Sequence, residues 1–527
     1  MSSSPSPQET EIKILEIYKA LEETFSGKDT KKINEAKNKL NEIFKDVKSA
    51  IELLFIALTK RTIAGKEITL DLHKSVLIYL KNLFYSYKNI MPDDIYNYLM
   101  KIFDLIFNKS QENQNLTENS IFSIFQTIIS FLLSNQKIID DNKNYIGQLF
   151  NILLDSIKNV PNEKFLVISK SVILLSTSLL TSRSANSNNF EILINDNYIP
   201  IINIVFLNVP KFLDPKNNIY NKEYIIILKY LLDGFYSCLS RMRTFYNNEK
   251  RKEITMKLFK EYGNYCFELI QLSPSFDEKT KSLFEKPNPI LVFNNDEKLC
   301  IEMNNMKSKA IQFLSFITQV STLEDKKMDD DEKNLIPDKE LVELLNKLIG
   351  LIITSFGDIL QNKNKFDLIR KFNGESEEEE DSYNMLLFQI CVFLTRSLIR
   401  DPIKTEFISH IRTFLLNYLF PMLITMDDEK VYSETDPEGY HQYISDIISE
   451  FKIKRFRTSG CFLIKKICDK FEDMSNFMLS FCLEMLNYLL NEGRINEQLK
   501  DINIYLKNKD SLICIIWSNM HVFIKNE

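Results

Sequence analysis

Glycine is scarce in this sequence, and its scarcity excludes a class of binding loops. The chain of 527 residues holds 11 glycines, about 2% where average usage is roughly 7%. The closest two, Gly350 and Gly357, lie seven residues apart. Neither G-x-G-x-x-G nor G-x-x-x-x-G-K-[ST] can therefore occur anywhere in the chain, which excludes the usual nucleotide-phosphate loops.

Histidine and closely spaced cysteine are also sparse, which leaves little material for a metal site or an activated nucleophile. The four histidines are His73, His410, His441 and His521. None has the spacing of a metal-binding motif, no G-x-S-x-G sequence occurs, and the eight cysteines contain no C-x-x-C. We therefore predict no cofactor, no metal and no enzymatic activity. The cysteines are expected to be reduced core thiols in the cytosol or nucleus.

The chain has no net positive charge and no long hydrophobic run. The 66 basic and 72 acidic residues give a net charge of −6, whereas a nucleic-acid-binding face needs concentrated positive charge. The apolar stretches 171–180 and 348–356 fall short of the ~18 residues that span a bilayer. Direct binding to nucleic acid and insertion into a membrane are therefore not expected.

The sequence does contain apolar residues at helical spacing along nearly its whole length. The first such stripe is Ile14, Ile17, Tyr18, Leu21 and Phe25, at i, i+3, i+4, i+7 and i+11. Asp29 then has the chemistry to cap a second helix, whose stripe is Ile33, Ala36, Leu40, Ile43 and Val47. Later helices are predicted over 117–135, 141–159, 163–182, 191–209, 222–246, 250–272, 296–322, 338–362, 382–400, 403–425, 437–452, 455–470, 472–491 and 498–524.

This pattern predicts an all-α protein without a sheet. About twenty helices paired at a period near 40 residues are typical of a HEAT-repeat-like helical solenoid, or superhelix, in which each pair buries its apolar face on the next. The alternative is two or three separate helical bundles. We expect a disordered tail over residues 1–9 and helical repeats from residue 10 to 527.

Two acidic runs interrupt the helical pattern and are predicted to be loops near 324–334 and 374–382. The acids of the second run are Glu375, Glu377, Glu378, Glu379, Glu380 and Asp381. Such a run is either a solvated connection or a surface that attracts basic segments of a partner.

Two blocks near the N-terminus resemble a known family. The first is Ala20-Leu21, Thr24-Phe25-Ser26, Asp29, Asn34-Glu35-Ala36 and Leu40-Asn41-Glu42. It is similar to the opening repeat of the importin-beta (karyopherin-beta) superfamily. The second is Ile78-Tyr79-Leu80-Lys81-Asn82, which resembles the Y-L-K-N signature of the second repeat in that superfamily.

A third block, near the C-terminus, is similar to the importin-seven/eight group and the CAS-type exporter. It consists of Leu419-Phe420-Pro421-Met422, Asp427-Asp428-Glu429, Asp436-Pro437-Glu438 and Tyr440, with further similarity at Arg455–Lys470 and Lys507–Asp510. Gly439 is an extra residue between Glu438 and Tyr440 relative to these groups, and Leu506 stands where they have tryptophan. Family members are also longer, so the chain is expected to be a fragment, an incomplete gene model or a short paralogue.

The resemblance implies a nuclear transport receptor. Residues 10–110 would be the importin-like N-terminal repeats that bind the GTP form of the GTPase Ran, with Thr24, Tyr79, Lys81 and Asn82 as candidate contacts. The remaining repeats would carry protein cargo, including basic cargo, and contact Phe-Gly nucleoporins. The expected location is the cytoplasm, the nucleus and the pore in the nuclear envelope. The alternative is a HEAT-repeat scaffold for assembly of a protein complex outside transport.

Overall fold

The computed structural model describes most of the N-terminal half of the chain and several helices beyond it. The described residues are 7–26, 29–63, 65–87, 90–107, 119–133, 145–158, 165–181, 191, 193–214, 219–220, 222–273, 290, 292, 296–320, 339–360, 377–397, 456–491 and 516. They contain 16 α-helices, which confirms the predicted all-α class. The chain divides into two units, Met1–Phe212 and Leu213–Glu527.

The first unit contains nine of these helices among its described residues. They are α1 (Pro7–Ser26), α2 (Thr30–Ile43), α3 (Val47–Thr59), α4 (Leu70–Ser86), α5 (Pro92–Phe107), α6 (Asn119–Leu133), α7 (Tyr145–Lys158), α8 (Phe165–Thr181) and α9 (Ile199–Phe212). A π-helical segment, Leu193–Tyr198, leads into α9.

The second unit contains the other seven. They are α10 (Lys222–Phe245), α11 (Asn248–Gln271), α12 (Glu297–Val320), α13 (Lys339–Leu360), α14 (Glu377–Ser397), α15 (Phe456–Lys470) and α16 (Glu472–Asn491). The predicted helices at 403–425 and 437–452 and the acidic run at 324–334 lie outside the described ranges, and of the helix predicted at 498–524 the structure describes residue 516 alone.

The helices of the first unit pack in two layers. Helices α1, α4, α6 and α8 contact one another in that order, and so do α3, α5, α7 and α9. The layers are joined where α3 packs on α4, α5 on α6 and α7 on α8. Among the described residues, the main contacts of each helix are thus with near neighbours in the sequence, as in repeat proteins.

Specific contacts show how the helices of the first unit are oriented. Between α3 and α5, Lys48 pairs with Asp94 at 3.1 Å and Glu52 pairs with Lys101. Both partners advance along the sequence together, so these same-layer neighbours run parallel. Between α1 and α3 the order reverses. Glu11 pairs with Lys60 at 3.5 Å, while the Tyr18 hydroxyl, further along α1, donates to the carbonyl of Ala57 at 2.9 Å.

The second unit repeats the arrangement. Helices α10, α12, α14 and α15 follow one another in one layer, and α11 packs on α13 in the other. Asn304 and Arg396 show that α12 and α14 run parallel. The Asn304 amide donates to Ser382 at 3.5 Å, and the Arg396 guanidinium donates to Ser315 at 2.8 Å. Within each unit, the paired layers predicted from the helical period are therefore present.

Aromatic rings fill the space between the layers of the first unit. Phe55 of α3, Phe84 of α4 and Tyr98 of α5 form one cluster, with ring centroids 5.3 to 6.4 Å apart. Phe84 and Tyr98 are almost completely buried, and burying a Phe side chain is worth about 1.5–3 kcal/mol. The cluster therefore ties three consecutive helices together.

The six cysteines whose side chains the structure describes are buried and free, as predicted. These are Cys238, Cys266, Cys300, Cys391, Cys468 and Cys482. Burial raises the pKa of the Cys468 thiol to about 12, so this thiol stays protonated at neutral pH.

The predicted second helix is in fact two helices. Helix α2 ends at Ile43, and α3 begins at Val47. The prediction was wrong because Val47 continues the apolar spacing of α2 across the turn between them. Asp46, at the N-cap position of α3, is the sequence signal for the boundary.

The prediction that the chain has no sheet needs one correction. Two antiparallel ladders of two residues per strand connect helices. In one, β1 (Thr62–Ile63) pairs with β2 (Lys66–Glu67) between α3 and α4. In the other, β3 (Leu213–Asp214) pairs with β4 (Ile219–Tyr220) before α10. Gly65 has φ +77° in the first turn, a conformation that glycine adopts without steric cost.

Two predicted irregular segments are partly helical. The loop predicted over 374–382 is helical from Glu377 onward, because carboxylates in a first turn are stabilised by the positive end of the helix dipole. The tail predicted over 1–9 is helical from Pro7, since proline suits the first position of a helix.

The glycine at 263 provides a test of the packing in the second unit. A methyl group at Gly263 would lie 2.6 Å from a ring carbon of Phe259, whereas at Gly350 it would meet nothing within 4 Å. Alanine favours a helix over glycine by about 1 kcal/mol, but overpacking costs about 1–3 kcal/mol. Gly263→Ala should therefore lower the free energy of unfolding, and the matched control Gly350→Ala should raise it by about 0.5–1 kcal/mol. Urea denaturation followed by circular dichroism measures both; equal shifts for the two variants would contradict the packing.

Candidate functional site

The candidate Ran contacts lie on α1 and α4, neighbours in one layer of the first unit. Helix α4 begins after Thr69, whose hydroxyl accepts a hydrogen bond from the Leu72 amide at 3.3 Å, as an N-cap residue does. Its buried stripe includes Val76, Leu80 and Phe84. This stripe fixes the rotation of α4 and therefore decides which of its other side chains reach solvent.

Tyr79 serves mainly to pack α4 against the preceding helices. Its ring contacts Phe25 of α1 edge-on at 6.4 Å and Phe44, just after α2, at 5.8 Å. Burial raises the pKa of the Tyr79 phenol, because removal from water disfavours the phenolate. The rings of Phe25, Phe44 and Tyr79 thus form an aromatic seam between α4 and the two helices that open the chain.

Thr24 is bonded within its own helix. Its hydroxyl donates to the carbonyl of Ala20 at 2.7 Å, so the group is already satisfied without a partner protein. Its neighbour Phe25 was predicted to lie on the buried stripe of α1, but it is 56% exposed. The stripe ends at Leu21 because Phe25 turns outward to meet Tyr79 at the end of the aromatic seam.

Lys81 and Asn82 are the two candidate residues that are left for a partner. Within the described part of the chain, neither side chain makes a hydrogen bond or an ion pair. Asn82 is exposed and Lys81 is partly exposed. By contrast Lys74, also on α4, pairs with Asp71 at 3.4 Å. The unpaired amide and ammonium are free to bind groups on another protein.

Helical geometry places Lys81 and Asn82 on different sides of α4. Successive residues are about 100° apart, so Asn82 lies about 60° from Tyr79 around the helix axis. Lys81 lies about 160° from Tyr79 and about 40° from Tyr85, whose ring meets Phe131 of α6 at 4.5 Å. The structure therefore brings Asn82 close to the aromatic seam and places Lys81 towards α6.

Two exposed aromatic residues were not among the predicted contacts. Phe25 lies at the end of the aromatic seam, and Tyr85 is 47% exposed beside α6. Aromatic side chains are enriched at the centre of protein interfaces. The sequence alone could not identify these two residues as exposed. Helical spacing shows which side chains share a face, but the packing of α1 and α4 decides which face reaches solvent.

The second predicted site, the acidic run, begins α14. Glu377, Glu378, Glu379, Glu380 and Asp381 belong to that helix, and Glu375 lies outside the described residues. The run is therefore held at the end of a regular element rather than in a loop.

The described ranges hold no candidate for two other kinds of site. No group of three or more His, Cys, Asp or Glu side chains there is arranged to hold a metal ion. None of the helices described is both long and apolar enough to cross a membrane.

Comparison with known proteins gives weak likenesses to solved structures. No family model and no curated protein matches the chain. An engineered protein solved by the Northeast Structural Genomics Consortium is 10% identical over 96% of this chain and 99% of that chain, with a TM-score of 0.26. The karyopherin Kap121p, solved bound to the SUMO protease Ulp1p, is 14% identical over 99% of this chain and 50% of that chain, with a TM-score of 0.27. This chain thus spans half the length of that karyopherin, and likenesses this low carry no argument about its fold or partners.

The different environments of the candidate residues predict different effects on stability. Tyr79→Ala removes a ring from the aromatic seam and should lower the free energy of unfolding by about 2–4 kcal/mol. Lys81→Ala and Asn82→Ala remove unpaired surface groups and should each change it by less than about 0.5 kcal/mol. Thermal and urea denaturation of the three variants test this; a large loss for Asn82→Ala would mean that its amide has a packing role.

Proposed function

We propose that this chain is a nuclear transport receptor of the karyopherin-beta type. In this proposal, the repeats of residues 10–110 bind Ran in its GTP form, and later repeats bind protein cargo. The protein would move between cytoplasm and nucleus by weak contacts with Phe-Gly nucleoporins at the nuclear envelope. It would act by binding alone, without catalysis.

One observation supports the proposal most directly. The two N-terminal blocks that resemble the superfamily are separate in the sequence, yet α1 and α4, which carry Thr24 and Tyr79, pack against each other. The ring of Tyr79 meets Phe25, the residue after Thr24. This packing leaves Asn82 exposed beside the aromatic seam and Lys81 partly exposed, so the second block offers two unpaired polar groups to a partner.

The layered packing is also compatible with a receptor that binds two partners. Helices in stacked repeats contact only their neighbours, so a change in the packing of one repeat alters the packing of the next. Two ligands that favour different packing arrangements then change each other's affinity, and the effect is reciprocal. Such a mechanism requires binding surfaces on separate repeats and no catalytic group.

The acidic start of α14 supports basic cargo as the class of second partner. Five consecutive acids, Glu377–Asp381, form a concentrated negative charge in a chain with a net charge of only −6. Opposite charge mainly accelerates association, and salt screens it over ~8 Å at physiological ionic strength.

Substitutions on α4 test the proposed binding of Ran. The double variant Lys81→Glu, Asn82→Ala should weaken binding to Ran locked in its GTP form by at least about tenfold, or about 1.4 kcal/mol. The control Lys74→Glu changes the charge of the same helix at a lysine already paired with Asp71, and it should bind nearly as well as the unmodified protein. Titration calorimetry with Ran in its GTP and GDP forms measures these affinities.

Two outcomes would count against the proposal. Equal affinity of the unmodified chain for the two nucleotide forms of Ran would remove the basis for a transport cycle. No binding to either form, with recovery of the chain in a stable multiprotein complex, would favour the assembly scaffold.

The acidic run has its own test. Replacing Glu377, Glu378, Glu379, Glu380 and Asp381 with Gln or Asn should slow association with a basic protein such as a histone several-fold at low salt, and much less at physiological salt. Circular dichroism is the control, because acids in a first turn also stabilise the helix. An unchanged association rate at low salt with helix content retained would leave the run with a structural role only.

A further inference from the structure

The side chain of His73 joins the end of α3 to the start of α4. It lies in the first turn of α4 and is completely buried. Its Nδ1 is 3.3 Å from the carbonyl oxygen of Thr69, and the ring also forms a hydrogen bond with the backbone of Lys60. Lys60 is the residue that follows α3, and Thr69 is the residue that precedes α4. The imidazole therefore bridges the two ends of the connection between these helices.

That connection is the hairpin formed by β1 and β2. At its base the Ile68 amide donates to the carbonyl of Arg61 at 2.9 Å, and the Ile68 side chain is buried. Thr62 and Glu67, further along the ladder, are exposed. The ion pair of Arg61 with Glu67, at 3.4 Å, is exposed as well and so stabilises the hairpin little. The buried contacts at the base are therefore the ones that hold the hairpin to the helices.

The protonation state of the imidazole decides how well it fits between two carbonyl groups. A neutral imidazole carries one N–H donor, whereas the imidazolium carries two. The cation could thus donate to both carbonyls, but burial removes its hydration. Burial is the larger effect and lowers the pKa of His73, while the bonds to Thr69 and Lys60 oppose it. The packed structure therefore favours the neutral ring.

The helices that pack on α4 bring few other titratable groups to this junction. From α1, Glu11 pairs with the Lys60 ammonium at 3.5 Å. Tyr18, also of α1, bonds to the last turn of α3, and burial raises the pKa of its phenol, so it is uncharged near neutral pH. On α4 itself, Lys74 pairs with Asp71 at 3.4 Å. The sequence of α6 contains no ionisable side chain. Histidine is the side chain among these whose ordinary pKa places its charge change between about pH 5 and 8.

We propose that His73 is a proton-sensitive staple, whose neutral ring holds the hairpin between α3 and α4 against the start of α4 and whose protonation loosens that hairpin. The staple uses none of the side chains proposed to contact Ran. It therefore stands or falls separately from the proposed binding of Ran.

The direction of the pH effect follows from the two states of the hairpin. An exposed histidine has a pKa of about 6.5, and burial holds the pKa of His73 lower while the hairpin is closed. Above about pH 6.5 the ring is neutral in both states, so opening does not depend on this residue. Below it the open state binds more protons, and the opening equilibrium constant should rise by up to about tenfold for each unit of pH fall. The rise should level off below the lowered pKa of the closed state.

Hydrogen exchange of the full chain tests the staple. Mass spectrometry at pH 7.5, 6.5 and 5.5, with rates corrected for the intrinsic pH dependence of exchange, should show protection over 61–73 falling by up to about tenfold between the last two values. His73→Gln places a side chain that stays neutral at this position and should remove the pH dependence. The control Glu11→Gln breaks the ion pair with Lys60 but keeps the imidazole, and it should retain the pH dependence.

The amides of α5 are the internal reference for these measurements. An equal loss of protection in α5 would mean that the whole unit responds to acid rather than the hairpin, and it would overturn the proposal. Protection over 61–73 that does not change with pH, or the same pH dependence in His73→Gln, would overturn it too.

A second measurement does not depend on a variant that folds. In the unmodified protein with ¹⁵N- and ¹³C-labelled histidine, the ring resonances of His73 should titrate with a midpoint below about pH 6.5. A midpoint at or above that value would overturn the proposal, because the closed hairpin would then favour the imidazolium.

Discussion

The structure depends on apolar burial between two layers of helices. No helix of a repeat can bury its stripe alone, so each one needs a neighbour in its own layer and another in the opposite layer. The cluster of Phe55, Phe84 and Tyr98 meets this need for three consecutive helices. Ion pairs such as Lys48–Asp94 are partly exposed and contribute at most about 1 kcal/mol each, so they align helices more than they stabilise them.

The same burial decides which polar groups remain for function. On α4 the buried stripe and the aromatic seam engage most of the apolar and aromatic side chains, which leaves Asn82 and Lys81 for a partner. In the second unit a polar group is itself buried, because the amine of Lys307 lies where an apolar side chain would pack. The exposed groups on α4 are those that the proposed binding of Ran would use.

Much of the fold could be predicted because a helical period survives in the sequence whatever surrounds it. The helices predicted over 141–159 and 472–491 were found at Tyr145–Lys158 and Glu472–Asn491. The helical period gave a wrong boundary at Val47, where two successive helices share one apolar spacing. It also missed the start of α14 at Glu377, which acidic rather than apolar residues form. The candidate site was predicted only as a set of residues, since spacing does not reveal that the Thr24 hydroxyl bonds to its own helix.

The sequence by itself determined the all-α class, the positions of most described helices and the burial of the described cysteines. Each of these follows from side chains a few residues apart, which local geometry relates directly. Only the tertiary structure decided that Phe25 turns outward, that Tyr79 packs against it, and that Lys307 is buried beside Ile290. These facts depend on contacts between different helices, whose rotation and spacing are set by the packing of the layers as a whole.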